Sequence, residues 1–90
     1  MTHKARWVVY MLLCEDGSLY TGCTTNLDRR MRQHRGELRG GARYTKSHKP
    51  RRVIARLHAH SRAEAQRMEA KWKRLSPREK RLVAQVLQYP

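Results

Sequence analysis

Seven residues carry carboxylates, and most of them have a local duty. Glu15 and Asp16 belong to a turn signal, Asp28, Glu64 and Glu79 stand at helix-capping positions, and Glu37 lies in a Gly-rich stretch. Glu69 has no such duty. It follows Met68 and precedes Trp72 on an amphipathic segment, so its side chain projects from the edge of a helix's buried face, where a site carboxylate would sit. The plain alternative is a helix ion pair with Lys73, four residues on. Tyr10 and Tyr20 stand in strand-like runs, and Arg30 and His34 are spaced so that both project from one helix face. A carboxylate with no local duty suits phosphodiester hydrolysis. That reaction needs an activated water, an in-line geometry and positive charge around the transition state, often with a metal ion. An imidazole beside Arg30 would donate to a phosphate oxygen or relay a proton.

The charge balance points to the same substrate class. Lys and Arg total 21 against 7 acidic residues, a formal net charge of +14, and the field of such a surface attracts phosphate backbones. No long apolar run, lipidation signature or spare basic amphipathic helix suggests a membrane, so nucleic acid is the expected polyanion. The N-terminal stretch leads into an apolar run of only eight residues, Trp7 to Cys14, without a small-residue cleavage site, which predicts a cytoplasmic protein. Cys14 and Cys23 cannot build a disulfide framework and read as reduced thiols, and the histidines lack the paired spacing of zinc sites. Ninety residues allow one domain, 1–90, with one modest core.

The elements that must position these groups follow from periodicity and punctuation. Trp7 to Cys14 and Leu19 to Thr24 predict a hairpin around Glu15-Asp16-Gly17-Ser18. A two-residue Asp16-Gly17 turn would set the tyrosines on opposite faces; a three-residue loop at Asp16-Gly17-Ser18, pairing Cys14 with Tyr20, brings them to one face and is the expected geometry. Thr25 and Asp28 resemble a capping box for a first helix that Gly36 stops. Glu37 to Pro50 has no apolar period and reads as a basic loop, in which Tyr44 could stack an unpaired base while Arg43 and Lys46 follow the backbone. Arg52 to His60 predicts a third strand with Val53, Ala55 and Leu57 on one face and Ile54, Arg56 and His58 on the other. Ser61 and Glu64 cap a second helix whose buried stripe is Ala65, Met68, Trp72 and Leu75. Ser76-Pro77-Arg78-Glu79 opens a third, docked by Leu82, Val83, Val86 and Leu87. The expected fold is α+β: a small three-stranded antiparallel sheet flanked by helices, in the order β-β-α-β-α-α.

Val8-Val9-Tyr10, nine residues, then Tyr20-Thr21-Gly22, an Arg ten residues after Tyr20, a His one turn later and a Glu on the following helix form an ordered set. That set resembles the GIY-YIG nucleases. Both tyrosines and the second glycine are kept, while Val8 replaces the first glycine. The Gly40-Gly41-Ala42-Arg43-Tyr44-Thr45 segment and the Ser61-x-x-Glu64-Ala65 opening also resemble small stand-alone bacterial members, so the resemblance covers nearly the whole chain.

The resemblance implies a role for each residue. Glu69 would hold one divalent metal, magnesium with manganese able to substitute, its other positions filled by water and phosphate oxygens. Tyr10 would be the general base, Tyr20 would position the water or phosphate, and Arg30 would stabilise charge on the scissile phosphate through its planar fork of donors. Arg29 on the same helix reads as a backbone contact. Single-stranded DNA is the first expected substrate, branched DNA the second and RNA the third. The rival reading is a non-catalytic nucleic-acid-binding module in which charge alone accounts for binding.

Overall fold

The computed structural model describes residues 6–87; residues 1–5, and with them the stretch read for a leader, lie outside it. Its elements run β1 (Trp7–Cys14), β2 (Leu19–Thr24), α1 (Leu27–His34), α2 (Arg43–Ser47), β3 (Pro50–Ala59), α3 (Arg62–Lys73) and α4 (Pro77–Leu87). The sheet is antiparallel in the order β2-β1-β3, which makes the most apolar strand central and leaves β2 at an edge. β1 is covered on both faces, the reason its sequence is an unbroken apolar run instead of an alternating one. No described helix is long and apolar enough to cross a membrane.

Two layers of core result. On one face Val9, Met11, Ala55 and Ala59 meet Ala65 and Trp72 of α3, with Met68, Leu75 and parts of α4 packed against them. On the other, Tyr10, Leu12 and Val53 meet Met31 of α1, with Tyr20 and Leu27 alongside. The α3 stripe is the predicted one. On α4 only Val83 and Leu87 of the four expected docking residues face the core, joined by Ala84, while Leu82 and Val86 are 52% and 80% exposed. Residues 83, 84 and 87 fall on one helical face, and the apolar band 82–87 is wider than that face.

The hairpin loop is Glu15-Asp16-Gly17, one residue earlier than expected, closed by Cys14 N–H to Ser18 O (2.9 Å) and Gly17 N–H to Cys14 O (3.0 Å). Gly17 supplies the left-handed residue of a three-residue hairpin loop at φ 85°, and the Asp16 carboxylate caps the turn by accepting from Ser18 N–H and Oγ–H. Tyr20 therefore pairs with Leu12 and not with Cys14. A shift of two residues preserves side-chain parity, so both tyrosines share one face as expected.

β3 corrects a second expectation. Its register against β1 steps between Met11↔Ala55 and Leu12↔Val53, so Ile54 is the extra residue of a bulge. Val53 and Ala55 consequently enter opposite layers, although simple alternation puts them together. α1 is capped by Asn26, whose Oδ1 accepts from Arg29 N–H (3.0 Å), and not by Thr25, because Asn26 holds the extended cap conformation. Where a loop was expected, α2 forms a five-residue helix. Its one buried side chain, Thr45, is polar, so no apolar period announces it.

The chain between α1 and α2 lies hard against α1: a Cβ on Gly41 would stand 2.5 Å from the backbone oxygen of Gln33. Gly41→Ala is expected to destabilise the protein by about 1–3 kcal/mol through overpacking, measured as a lower urea midpoint with the helical circular dichroism retained. An unchanged midpoint would mean that this segment does not rest on α1.

Candidate active site

Four of the sequence-selected residues converge in the Tyr10 layer. Tyr10 is fully buried on the central strand, and Tyr20 is half-buried on the edge strand with its ring centroid 6.3 Å away. Gly22 pairs with Tyr10. A Cβ there would stand 2.7 Å from the Tyr10 hydroxyl and 3.0 Å from Tyr20 Cε2, so the glycine of the second triplet makes room for two phenols.

His34, at the end of α1, is 3% exposed, and its Nε2 lies 2.6 Å from the Tyr10 hydroxyl. Its Nδ1 lies 2.9 Å from Thr45 Oγ1, and Thr45 donates its single proton to Ala42 O at 3.0 Å. Thr45 can therefore only accept from His34, which places the imidazole proton on Nδ1 and leaves the Nε2 lone pair to receive the Tyr10 O–H. Burial, then the charge of Arg30, lowers the His34 pKa to about 4. Burial, then Tyr20, pushes the Tyr10 phenol well above its ordinary value despite the opposing pull of Arg30. At neutral pH the pair is a neutral phenol donating to a neutral imidazole.

Arg30 is held at the mouth of this cluster by donating Nη1–H to Gly40 O (2.6 Å) and Gln33 Oε1 (3.0 Å). Burial works against its charge, but the phenols of Tyr10 and then Tyr20 leave its pKa raised. Arg29 is exposed on the same helix, and Arg43 and Lys46 are exposed on α2. Tyr44 stacks on Tyr20 (5.8 Å, 29°) and on His48 (4.1 Å, 15°), so the ring read as a base platform already has ring partners inside the protein. His48 Nδ1 lies 2.6 Å from Asp16 Oδ2, which ties α2 to the hairpin tip.

Glu69 belongs to the opposite layer. Cys23, next along the edge strand from Gly22, pairs with Val9 and packs on the α3 side, where its Sγ donates to Glu69 Oε1 at 3.0 Å. Glu69 Oε2 lies 2.7 Å from Lys73 Nζ, the helix ion pair that its spacing suggested. Burial and then the Glu69 carboxylate lift the Cys23 thiol to about 11, keeping it protonated. Lys73 stays charged, its pKa raised first by the hydrogen bond to Glu69, with the Tyr20 phenol contributing through space. Glu69 thus lies on the α3 face of the edge strand, bonded to Cys23, whereas the tyrosine cluster lies on the other face.

Residues 6–82 match the model of the GIY-YIG catalytic domain. The chain belongs to that family. A UPF0213 protein of Desulfotalea psychrophila is 44% identical over 80 residues, covering 89% of this chain and 72% of the relative. One from Cupriavidus pinatubonensis is 39% identical over 90 residues, covering 100% of this chain and 98% of its own. The solution NMR structure of the UPF0213 protein from Bacillus halodurans superposes with a TM-score of 0.58 at 40% identity, covering 93% of this chain and 87% of that one.

The family's expected metal can be tested against the donors present. Among the described residues no group of three or more His, Cys, Asp and Glu side chains converges, and of the five residues expected at the site Glu69 brings the one carboxylate. A cation that retains most of its waters requires little more, and the Glu69 side chain keeps 20% exposure at the sheet edge, so this donor set fits magnesium better than zinc. Lys73 must give up one carboxylate oxygen for the metal to enter.

Sequence reasoning missed Thr45, Gln33 and Cys23 as parts of the site, whereas the spacing did suggest the Lys73 pair with Glu69. Thr45 sits in a segment without periodicity, and Gln33 and Cys23 are ordinary surface and strand residues until the fold brings them to Arg30 and Glu69.

Two outcomes are expected from this geometry. In Thr45→Val the acceptor for Nδ1–H is lost, so the imidazole nitrogen shifts of His34, read by 15N NMR, should move away from a pure Nδ1–H tautomer while Thr45→Ser preserves it; identical shifts in Thr45→Val would discard the tautomer assignment. Because His34 binds a proton less readily folded (about 4) than unfolded (6.5), its contribution to stability is complete above pH 6.5 and is lost as pH falls towards 4, by roughly 3 kcal/mol at most. His34→Gln should flatten the unfolding free energy across that window, and an unchanged pH slope would contradict the lowered pKa.

Proposed function

We propose that this chain is a metal-dependent nuclease that hydrolyses phosphodiester bonds in DNA, with single-stranded DNA as the favoured substrate. The reading is carried by one observation: two phenols, a guanidinium and an imidazole converge on one face of the sheet, in a chain of net charge +14, while Glu69 is bonded to Cys23 of the edge strand on the other face. Arg30, already oriented by Gly40 and Gln33, is the donor for the scissile phosphate. The resting Tyr10 is a phenol, so a base role requires its proton to leave as the new one arrives. Tyr10 is fully buried at rest, so the site must open to admit the attacking water, which then gives a proton to the Tyr10 oxygen while the Tyr10 proton passes along the 2.6 Å hydrogen bond to His34 Nε2. An O–P bond forms, the bond to the leaving oxygen breaks, solvent protonates that oxygen, and His34 returns its proton to water. A phosphate on Arg30 would offset the positive charge that otherwise disfavours the imidazolium.

Glu69 is the residue to hold magnesium, or manganese in its place. When bound, such an ion supplies positive charge at the phosphate and a more acidic water. Single strands rank first because nothing among the described residues resembles a helix-turn-helix or a zinc finger, and exposed cations stand on α1 and α2, the helices that supply His34 and Thr45; branched DNA ranks second and RNA third. We place this activity in the cytoplasm. A non-catalytic binding module is favoured by a single feature, the Lys73 ion pair that occupies Glu69.

Wild type and Glu69→Gln, each with magnesium or chelator, should be compared on end-labelled single-stranded, duplex and branched DNA and on single-stranded RNA. Magnesium-dependent cleavage by wild type, lost at least a hundredfold in the variant with binding intact, is the expected result. Binding without cleavage by wild type on every substrate would leave the module reading in its place.

A further inference from the structure

With Tyr44 stacked on Tyr20 and His48, the described residues contain one aromatic ring that the fold leaves uncommitted. Tyr10 and Trp72 are buried, whereas Trp7 at the start of β1 is half-buried and makes no ring-to-ring contact among the described residues. It rests against the α3-side core. It also borders a cavity of about 330 Å³ shared with Cys23, Asn26, Arg29, Arg30 and Gln33.

We propose that this cavity is a nucleotide subsite, in which an unpaired base adjoining the scissile phosphate stacks on the indole of Trp7. The proposal rests on Arg30 being the phosphate donor. Arg30 belongs both to the phenol cluster and to the wall of this cavity, so a phosphate held there has its neighbouring nucleoside directed into it. Cys23, the thiol that bonds Glu69, is another wall residue, which makes the cavity continuous with the β2 edge. Arg29 adds a cation beside the ring, the pairing of aromatic face and positive charge that single-stranded nucleic acid sites use.

The polar lining is selective in kind. Asn26 Oδ1 already accepts from Arg29 N–H and Gln33 Oε1 from Arg30, so the polar groups of these amides without a hydrogen-bond partner are their NH2 donors. Donors match the carbonyl oxygens and ring nitrogens of a base and not another cation. The larger cavity, about 540 Å³ between α1 and α2, has Arg35, Arg39, Lys46 and Lys49 on its wall but no aromatic ring other than the buried His34, so it suits backbone and not base.

The test is binding of fluorescein-labelled oligothymidylate in chelator, where no cleavage intervenes, by wild type, Trp7→Leu and Trp7→Phe. Stacking of one base corresponds to about 10- to 100-fold in affinity, so Trp7→Leu should lose that factor and Trp7→Phe most of it should keep. The chain's two tryptophans give a second readout: unlabelled oligonucleotide should quench wild-type emission and leave Trp7→Phe, which retains only Trp72, unquenched. Moving an abasic spacer along the oligonucleotide should reveal one position that weakens wild type but costs Trp7→Leu nothing. Wild-type affinity in Trp7→Leu, no quenching, or an abasic penalty equal in both proteins would each overturn the proposal. Should Trp7→Leu fail to fold, quenching and the abasic scan on wild type decide alone. A protein that is quenched by oligonucleotide yet never cuts would retain this subsite and lose the nuclease reading; one that cuts with Trp7 unquenched would lose the subsite only.

Discussion

A strand covered on both faces has no solvent for its polar groups, and this constraint at Tyr10 organises the site. The phenol is fully buried on β1 and must find a partner. It finds His34, which is itself buried and must satisfy its second nitrogen. That need draws in Thr45, whose hydroxyl must in turn be accepted by Ala42 O. One buried hydroxyl therefore commits α1, α2 and the chain between them to a single arrangement. Each hydrogen bond has only one permissible direction, because the last acceptor is a carbonyl.

The sheet sorts the remaining chemistry by parity. Even-numbered residues of β1 join the tyrosine layer and odd-numbered ones the α3 layer, and β2 follows through its register. Tyr20 and Cys23 consequently face opposite sides although they are three positions apart. Only a strand at the sheet edge lets groups from both faces approach one another, and β2 occupies that edge. The proposed site, which joins the phenols to Glu69, would have to form there.

The charge distribution fits this architecture. Acidic groups are spent on local order: Asp16 on the hairpin tip and His48, Glu64 and Glu79 on helix caps, Glu37 on Arg32. With so few carboxylates among so many cations, self-repulsion weakens the compact state, and a bound polyanion relieves it. Glu69 is set within this field against Lys73, 2.7 Å away.

Sequence alone was sufficient for the elements with strong period or punctuation: the hairpin, α1, α3 with its stripe, and the capping boxes at Ser61 and Ser76, because these signals are local. It also singled out Glu69 by the absence of any local duty, and Tyr10, Tyr20, Arg30 and His34 by spacing. Tertiary structure decided what spacing cannot carry. Whether Tyr10 and Tyr20 share a face turned on the loop's hydrogen bonds, and Val53 and Ala55 parted through a bulge that alternation cannot foresee. The proton position on His34 was set by a threonine eleven residues away in an aperiodic segment. Glu69 was legible as a candidate but not in its contact with Cys23 of the edge strand, since strand order in the sheet is a non-local property. Local propensity is written in neighbouring residues; faces, tautomers and edges depend on contacts between residues far apart in the chain.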